Sequence, residues 1–150
     1  MLRLRAAEAA DVPEIFAMIG ELADFERLRA RMIGSADDLQ RHLFGEPRFV
    51  AALLALWSGA VAGYALYFYN YSSFLCRPGL YLEDLYVRPA YRGRGIGRQL
   101  LQGLEDQARA QGCGRLEWAV LDWNRDAIDF YHRFGAHANE GWTLFRKELA

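Results

Sequence analysis

Apolar and polar residues alternate at the start of the chain, through Leu2, Arg3, Leu4, Arg5 and Ala6, which is the period of a strand with one buried face. The period then lengthens. Val12, Ile15, Phe16, Ile19 and Leu22 recur at helical spacing and predict a helix with that stripe against a core. Asp11 is expected to cap it, with Glu14 as the capping-box partner and Pro13 tolerated in the first turn. Ser35 opens a shorter helix carrying Leu39 and Leu43, which Gly45 and Pro47 end. Two apolar, aromatic-rich runs, residues 49–57 and 61–71, flank Ser58-Gly59-Ala60 and predict a hairpin. Arg77-Pro78-Gly79 is expected to form a second turn, and residues 80–87 a fourth strand, apolar except for Glu83 and Asp84. Beyond a Gly/Arg loop, Ile96, Leu100, Leu101, Leu104 and Ala108 line one face of a helix that Gly112 ends. Residues 116–121 read as a fifth strand. Asn124 is expected to cap a last helix with Ile128, Tyr131 and Phe134 on its inner face, stopped by Gly135, and residues 142–147 to form a final strand.

The expected order is β-α-α-β-β-β-α-β-α-β, a mixed α/β fold with a central mixed sheet flanked by helices. No repeat, linker or low-complexity segment interrupts it, so one domain is expected over residues 1–150. Just over half the residues are hydrophobic, enough for one core. The formal net charge of −1 offers no general attraction to nucleic acid or to an anionic membrane surface, and neither partner is expected. The longest apolar stretch, residues 49–57, is too short to span a bilayer, and the N-terminus lacks the apolar run of a signal peptide. Cys76 and Cys113 do not make a disulfide framework, so a reducing, cytoplasmic setting is expected.

The most informative segment is Tyr91-Arg92-Gly93-Arg94-Gly95-Ile96-Gly97-Arg98, between a strand and a helix. Alternate glycines let the backbone approach a ligand and adopt unusual dihedrals. Free N–H groups at the helix start suit an anion, and Arg92, Arg94 and Arg98 can reach phosphates. A P-loop would need Gly-Lys-Ser/Thr where the chain has Gly97-Arg98-Gln99. The dinucleotide fingerprint fails from either starting glycine, because Arg98 or Leu100 stands where its last glycine should be.

What remains, Arg-x-x-Gly-x-Gly from Arg92 to Gly97, resembles the acetyl-CoA pyrophosphate loop of the GNAT acetyltransferase superfamily. The likeness extends to Leu80-Tyr81-Leu82-Glu83-Asp84, Ala119-Val120-Leu121-Asp122-Trp123-Asn124, Phe130-Tyr131, Gly135-Ala136 and Glu140-Gly141-Trp142. Together with Glu21-Leu22-Ala23 and Glu26, these look like the diamine branch, which includes the spermidine/spermine and thialysine acetyltransferases. The resemblance implies acetyl-CoA as donor, no metal, a small-molecule amine as acceptor and a homodimer. It implies that Leu85, Tyr86 and Val87 hydrogen-bond the pantetheine arm through their backbone, that residues 93–98 hold the pyrophosphate, and that Asn124 contacts the cofactor. Tyr131 would sit near the thioester sulfur, and Glu26, Glu83, Asp84 and Trp142 on the amine side.

The chemistry asks for such groups. An alkyl amine with a pKa of about 10 is mostly ammonium at neutral pH, and only the free amine can attack a thioester. Glu83, which interrupts an apolar strand as a costly buried charge, is the expected acceptor of its proton, directly or through water. A backbone N–H near Leu85 could face the developing oxyanion, and Tyr131 could donate to the departing thiolate. Cys76 and Cys113 have no His partner in sequence that would favour an acyl-cysteine, and His42, His132 and His137 lack metal-ligand spacing. The chain departs from polyamine acetylators after Glu26, where Arg27, Arg29 and Arg31 replace an acidic run, and at Ser72 and Ser73, where an acidic residue is usual. Fewer carboxylates weaken a polycation's hold, and an arginine can pair with a substrate carboxylate, so an amino-acid-like amine such as thialysine is expected over spermidine. The alternatives are another acceptor, such as an amino sugar or a protein N-terminus, or a non-catalytic acyl-CoA sensor.

Overall fold

A computed structural model describes residues 1–150. The opening alternation becomes β1 (Leu2–Ala6), followed by α1 (Val12–Phe25), α2 (Ala36–Phe44), β2 (Ala51–Trp57), β3 (Ala60–Ser72), β4 (Arg77–Val87), α3 (Ile96–Ala110), β5 (Leu116–Trp118) and α4 (Arg125–Phe134). The strands form one mixed sheet in the order β1-β2-β3-β4-β5. The first three pairings are antiparallel, and β4 and β5 run parallel, with α3 as the crossover between them. By compactness the chain divides into two units, Met1–Ala119 and Val120–Ala150.

In the first unit the sheet separates two helical layers. Leu54, Tyr64, Leu66 and Tyr86 point to one face and join Val12, Ile15 and Met18 of α1 and Leu43 of α2 in a buried core. The opposite face carries α3, whose Ile96, Leu100, Leu101 and Leu104 are all fully enclosed. Gln107 of α3 also donates to the Tyr69 hydroxyl at 3.0 Å, which marks that face on β3. Burial of each such side chain contributes roughly 1.5–3 kcal/mol, so the two apolar layers hold the sheet on both sides.

One irregularity controls the middle of β4. Leu66 pairs with Asp84, but its neighbour Tyr67 pairs with Leu82, so Glu83 is the extra residue of a β-bulge. In an unbroken strand Leu82 and Asp84 would share a face. The bulge instead leaves Leu82 on the Tyr67 side with α3, and turns Asp84 to the Leu66 side with α1. The ladder to β5 also ends there, since β5 pairs only with Leu80, Tyr81 and Leu82.

Several local expectations change. Asp11 does not cap α1; its carboxylate accepts from Arg5 at 2.7 and 3.0 Å and from the Glu8 N–H at 2.7 Å. Glu14, expected in the capping box, accepts from Arg88 at 2.8 Å. Arg77-Pro78-Gly79 is not a turn but the start of β4, paired with Ser72, Tyr71 and Asn70. Gly79 is there for close packing, because a Cβ would collide with the Asn70 side chain, and the reversal falls at Ser73–Cys76. The fifth strand stops at Trp118 rather than residue 121 because its partner bulges at Glu83. Ser35 does cap α2, accepting from the Asp38 N–H at 3.1 Å.

The second unit contains α4. Asn124 caps it, its Oδ1 accepting from the Ala127 N–H at 3.2 Å, and Gly135 ends it in the left-handed conformation. The expected strand over residues 142–147 does not form; no ladder partner satisfies that backbone, and Trp142, Leu144 and Phe145 are exposed.

Candidate active site

The Gly/Arg loop leaves β4 through a single 3₁₀ turn, Pro89–Tyr91, and enters α3 at Ile96. Gly93 and Gly95 adopt φ of 79° and 76°, the left-handed region that costs other residues roughly 1–2 kcal/mol. Gly95 stands at the N-cap without a side chain, so no capping group competes for the N–H donors of the first turn. Space around both glycines is open where a Cβ would project. Ile96 is buried and anchors the helix start, while Gly97 begins its first turn and Arg98 is exposed on it.

The arginines have different holdings. Arg92 donates from Nε to the Val87 carbonyl at 2.9 Å, and its guanidinium lies 5.6 Å from the Phe25 ring centre and 5.7 Å from that of Tyr86. Arg94 lies 4.8 Å from the Trp57 ring and 5.7 Å from Tyr91. Arg92 thereby ties the loop to β4 and the end of α1, while Arg94 rests on aromatic faces that solvent and anions can compete for.

Upstream of the loop, Leu85, Tyr86 and Val87 pair with Ala65, Tyr64 and Gly63 of β3. On the other edge of β4, no strand pairs beyond Leu82. That edge offers backbone donors and acceptors in a row leading to the glycine loop. Tyr86 is buried, and its hydroxyl donates to Glu21 at 3.1 Å. Arg88 donates to the same carboxylate at 3.2 and 3.3 Å, so α1 is clamped to the end of β4.

The carboxylates gather at the bulge. Burial raises Glu26, at the end of α1, above the usual carboxylate range, and the neighbouring charge of Glu83 adds to it. Asp84 is pushed up to about 6, first by burial, against the hydrogen bond from Tyr64, and further by the charges of Glu83 and Glu26. The Tyr64 hydroxyl donates to Asp84 Oδ2 at 3.0 Å. Glu83, expected as the buried charge of the strand, is exposed; the bulge gives that burden to Asp84. Three of the expected amine-side residues, Glu26, Glu83 and Asp84, are thus within electrostatic reach of one another. Tyr64 was not expected in this group. Its strand was legible, but its diagonal placement against Asp84 follows from the bulge.

Of the arginines after Glu26, Arg29 is held by Asp24 through two hydrogen bonds of 2.8 Å. In the second unit, Asn124 is at the α4 cap, Tyr131 is half-buried on α4 with its ring 5.4 Å from that of Phe130, and Trp142 is exposed in the terminal segment. Cys76 and Cys113 are both free thiols. No helix is long and apolar enough to cross a membrane.

A mixed α/β sheet whose fourth strand has an open edge, followed by a glycine loop that leaves helix-start N–H groups uncapped, suits an extended phosphate-bearing ligand. The acetyltransferase (GNAT) family matches residues 16–136. The chain belongs to this family of acetyl-CoA-dependent N-acetyltransferases. It is 39% identical to a thialysine N-epsilon-acetyltransferase of Bos taurus, over 97% of this chain and 91% of that protein. It is 32% identical to an L-ornithine N5-acetyltransferase of Arabidopsis thaliana, over 96% and 83%. Among solved structures, an integron cassette protein from V. cholerae superposes with a TM-score of 0.82 at 26% identity, covering 98% of this chain and 92% of that one.

Proposed function

We propose that this protein, acting as one GNAT domain, transfers the acetyl group of acetyl-CoA to a primary amine of a small, lysine-like molecule, such as thialysine or ornithine. The observation that carries the reading is the juxtaposition on β4 of an open strand edge, a carboxylate cluster at its bulge and an anion-receiving loop at its end. Relatives named for thialysine and ornithine acetylation support the acceptor class.

In this reading acetyl-CoA supplies an activated thioester. The backbone of Leu85, Tyr86 and Val87 holds the pantetheine amides, and the backbone of residues 93–98, with Arg92, Arg94 and Arg98, holds the pyrophosphate; Asn124 contributes a further cofactor contact. Glu26, Glu83 and Asp84 attract the ammonium, with Trp142 as an apolar wall. Glu83, exposed at the bulge, accepts the proton, so that the amine attacks directly in a ternary complex. A backbone N–H near Leu85 stabilises the oxyanion, and Tyr131 donates to the leaving thiolate. The role of Tyr131 is supported by the sequence likeness of its helix to the family. Arg29 is committed to Asp24, and the exposed Arg31 of the 27–31 stretch would meet a substrate carboxylate.

The same reading makes the protein a cytoplasmic homodimer. Free Cys76 and Cys113 accord with a reducing compartment, and the exposed Trp142, Leu144, Phe145 and Leu149 provide apolar surface for a second copy. Light scattering coupled to gel filtration should give twice the chain mass, and a monomer at micromolar concentration would overturn that part.

The reaction itself is tested by acetyl-CoA-dependent release of coenzyme A thiol against thialysine, lysine, ornithine, putrescine, spermidine and an aminoglycoside, with mass spectrometry of each product. Acetylation of a lysine-like amine supports the reading. Binding of acetyl-CoA with no acetylated amine in the panel would replace it with a sensor or an untested acceptor.

A further inference from the structure

Tyr64 stands out among the side chains that the proposed reaction leaves unused. It is fully buried in the middle of β3, yet it carries a hydroxyl into a core that includes Val12, Ile15, Met18 and Leu54. A phenylalanine would fill the same volume, and a buried hydroxyl is costly unless it is hydrogen-bonded. Its partner is Asp84 Oδ2 at 3.0 Å.

The sheet register explains how they meet. Tyr64 pairs directly with Tyr86 and Leu66 with Asp84, so Tyr64 and Asp84 are diagonal neighbours on the α1 face. Without the bulge at Glu83, that face would receive Glu83 in place of Asp84. The same bulge brings consecutive residues Glu83 and Asp84 into one electrostatic group with Glu26 from the end of α1.

We infer that Tyr64 is a positioning residue for amine acetylation, its hydroxyl fixing Asp84 as the partner of Glu83 in accepting the proton of the incoming ammonium. The inference rests on the proposed reaction. In the step, an N–H bond of the ammonium breaks and an O–H bond forms on the Glu83/Asp84 pair. The N–H electron pair stays on nitrogen for attack on the thioester carbonyl, and the proton then passes from the pair to water. Tyr64 does not touch the amine. It holds one carboxylate of the pair in place by a hydrogen bond across the strands.

The groups facing Asp84 set the sign of the effect. Glu26, from the end of α1, and Glu83, on its own strand, disfavour its ionised form, whereas Tyr64, from β3, favours it. Tyr64 in turn has Tyr86 beside it, with ring centres 6.4 Å apart. Without the Tyr64 hydroxyl, Asp84 holds its proton to higher pH.

The test is Tyr64→Phe, which keeps the ring and removes the donor. The expected kcat/KM for the preferred amine at neutral pH falls roughly tenfold, the effect of losing one hydrogen bond to a charged group. The acid limb of its pH profile moves up, while acetyl-CoA affinity stays at the wild-type value. Asp84→Asn is measured alongside it. In that background adding Tyr64→Phe should cost almost no further activity, since Tyr64 acts on the reaction only through the Asp84 carboxylate. A carboxyl NMR titration of Asp84 supplies a readout independent of turnover and should shift upward in Tyr64→Phe. An active wild type whose pH profile and Asp84 titration are unmoved in Tyr64→Phe overturns the inference and leaves the proposed function standing. If Tyr64→Phe does not fold, a wild-type pH profile in Asp84→Asn overturns it equally. A wild type that acetylates no amine removes the proposed function, and the inference with it.

Discussion

Arg92 lies over the ring of Tyr86 at 5.7 Å while its Nε donates to the Val87 carbonyl at 2.9 Å, so the first arginine of the phosphate loop is fastened to the strand that precedes it. Arg94, by contrast, has aromatic contacts and no hydrogen bond to a backbone carbonyl, with Trp57 4.8 Å away. The two arginines should therefore differ on substitution. Arg92→Ala should lower stability by about 1 kcal/mol, from loss of the hydrogen bond to the Val87 carbonyl, and weaken acetyl-CoA binding. Arg94→Ala should leave the melting temperature near wild type and weaken only the binding. Thermal melts and acetyl-CoA titrations of both variants check this; equal melting temperatures for the two would contradict it.

Asp84 should make the fold less stable as pH rises. Its proton affinity in the folded chain, raised to about 6, lies above the ordinary carboxylate value of 3.8. Between those values the folded state binds more protons than the unfolded one, so stability falls through that window and stays lower above it. Asp84→Asn, which keeps an oxygen to accept from Tyr64, should remove the dependence and stabilise the protein at neutral pH by on the order of 1–3 kcal/mol. Below about pH 4 the two proteins should be nearly equal in stability. Denaturant unfolding at pH 4 and pH 7.5 measures it, and a less stable variant at the higher pH would contradict the assignment.

Glu83 and Tyr131 are assigned to opposite proton transfers and should separate kinetically. Glu83→Gln should slow acetylation most at lower pH, where free amine is scarcest. Tyr131→Phe should bind acetyl-CoA as wild type does and lose most of its turnover, roughly 10²-fold or more. Full turnover in Tyr131→Phe, or a Glu83→Gln pH profile matching wild type, would remove the corresponding residue from the mechanism.

The arginines after Glu26 provide a test of acceptor type. Arg31→Ala should raise KM for thialysine and ornithine, which carry a carboxylate, about tenfold, while that for putrescine, which has none, stays put. Arg29→Ala should instead cost stability alone, since its guanidinium is engaged with Asp24. A uniform change across the three amines would show that the stretch does not read the carboxylate.

Much of this organisation was legible in the chain because it depends on local periodicity. The stripe of Ile96, Leu100, Leu101, Leu104 and Ala108 forms the buried face of α3, and Ser35, Asn124 and Gly135 act at helix ends where their side chains or dihedrals suit them. The Gly93 and Gly95 turns likewise follow from residue type. What escaped depends on partners distant in sequence. Asp11 looked like a helix cap, but Arg5 on β1 outcompetes the helix N–H groups for its carboxylate. Gly79 looked like a turn residue, yet it makes room for Asn70 across the ladder. The bulge at Glu83 changes the face of Asp84 and brings Tyr64 into the site, and nothing in a single strand's alternation announces it. The 142–147 segment has strand-like composition, but composition does not supply a neighbouring edge.

The most direct test is a side-by-side comparison of kcat/KM for thialysine, ornithine and spermidine on the full-length wild-type protein, with acetyl-CoA saturating and each product's mass confirmed. A lysine-like amine, thialysine or ornithine, should be acetylated with the highest efficiency. Spermidine as the best substrate would keep the reaction and contradict the acceptor assigned to it.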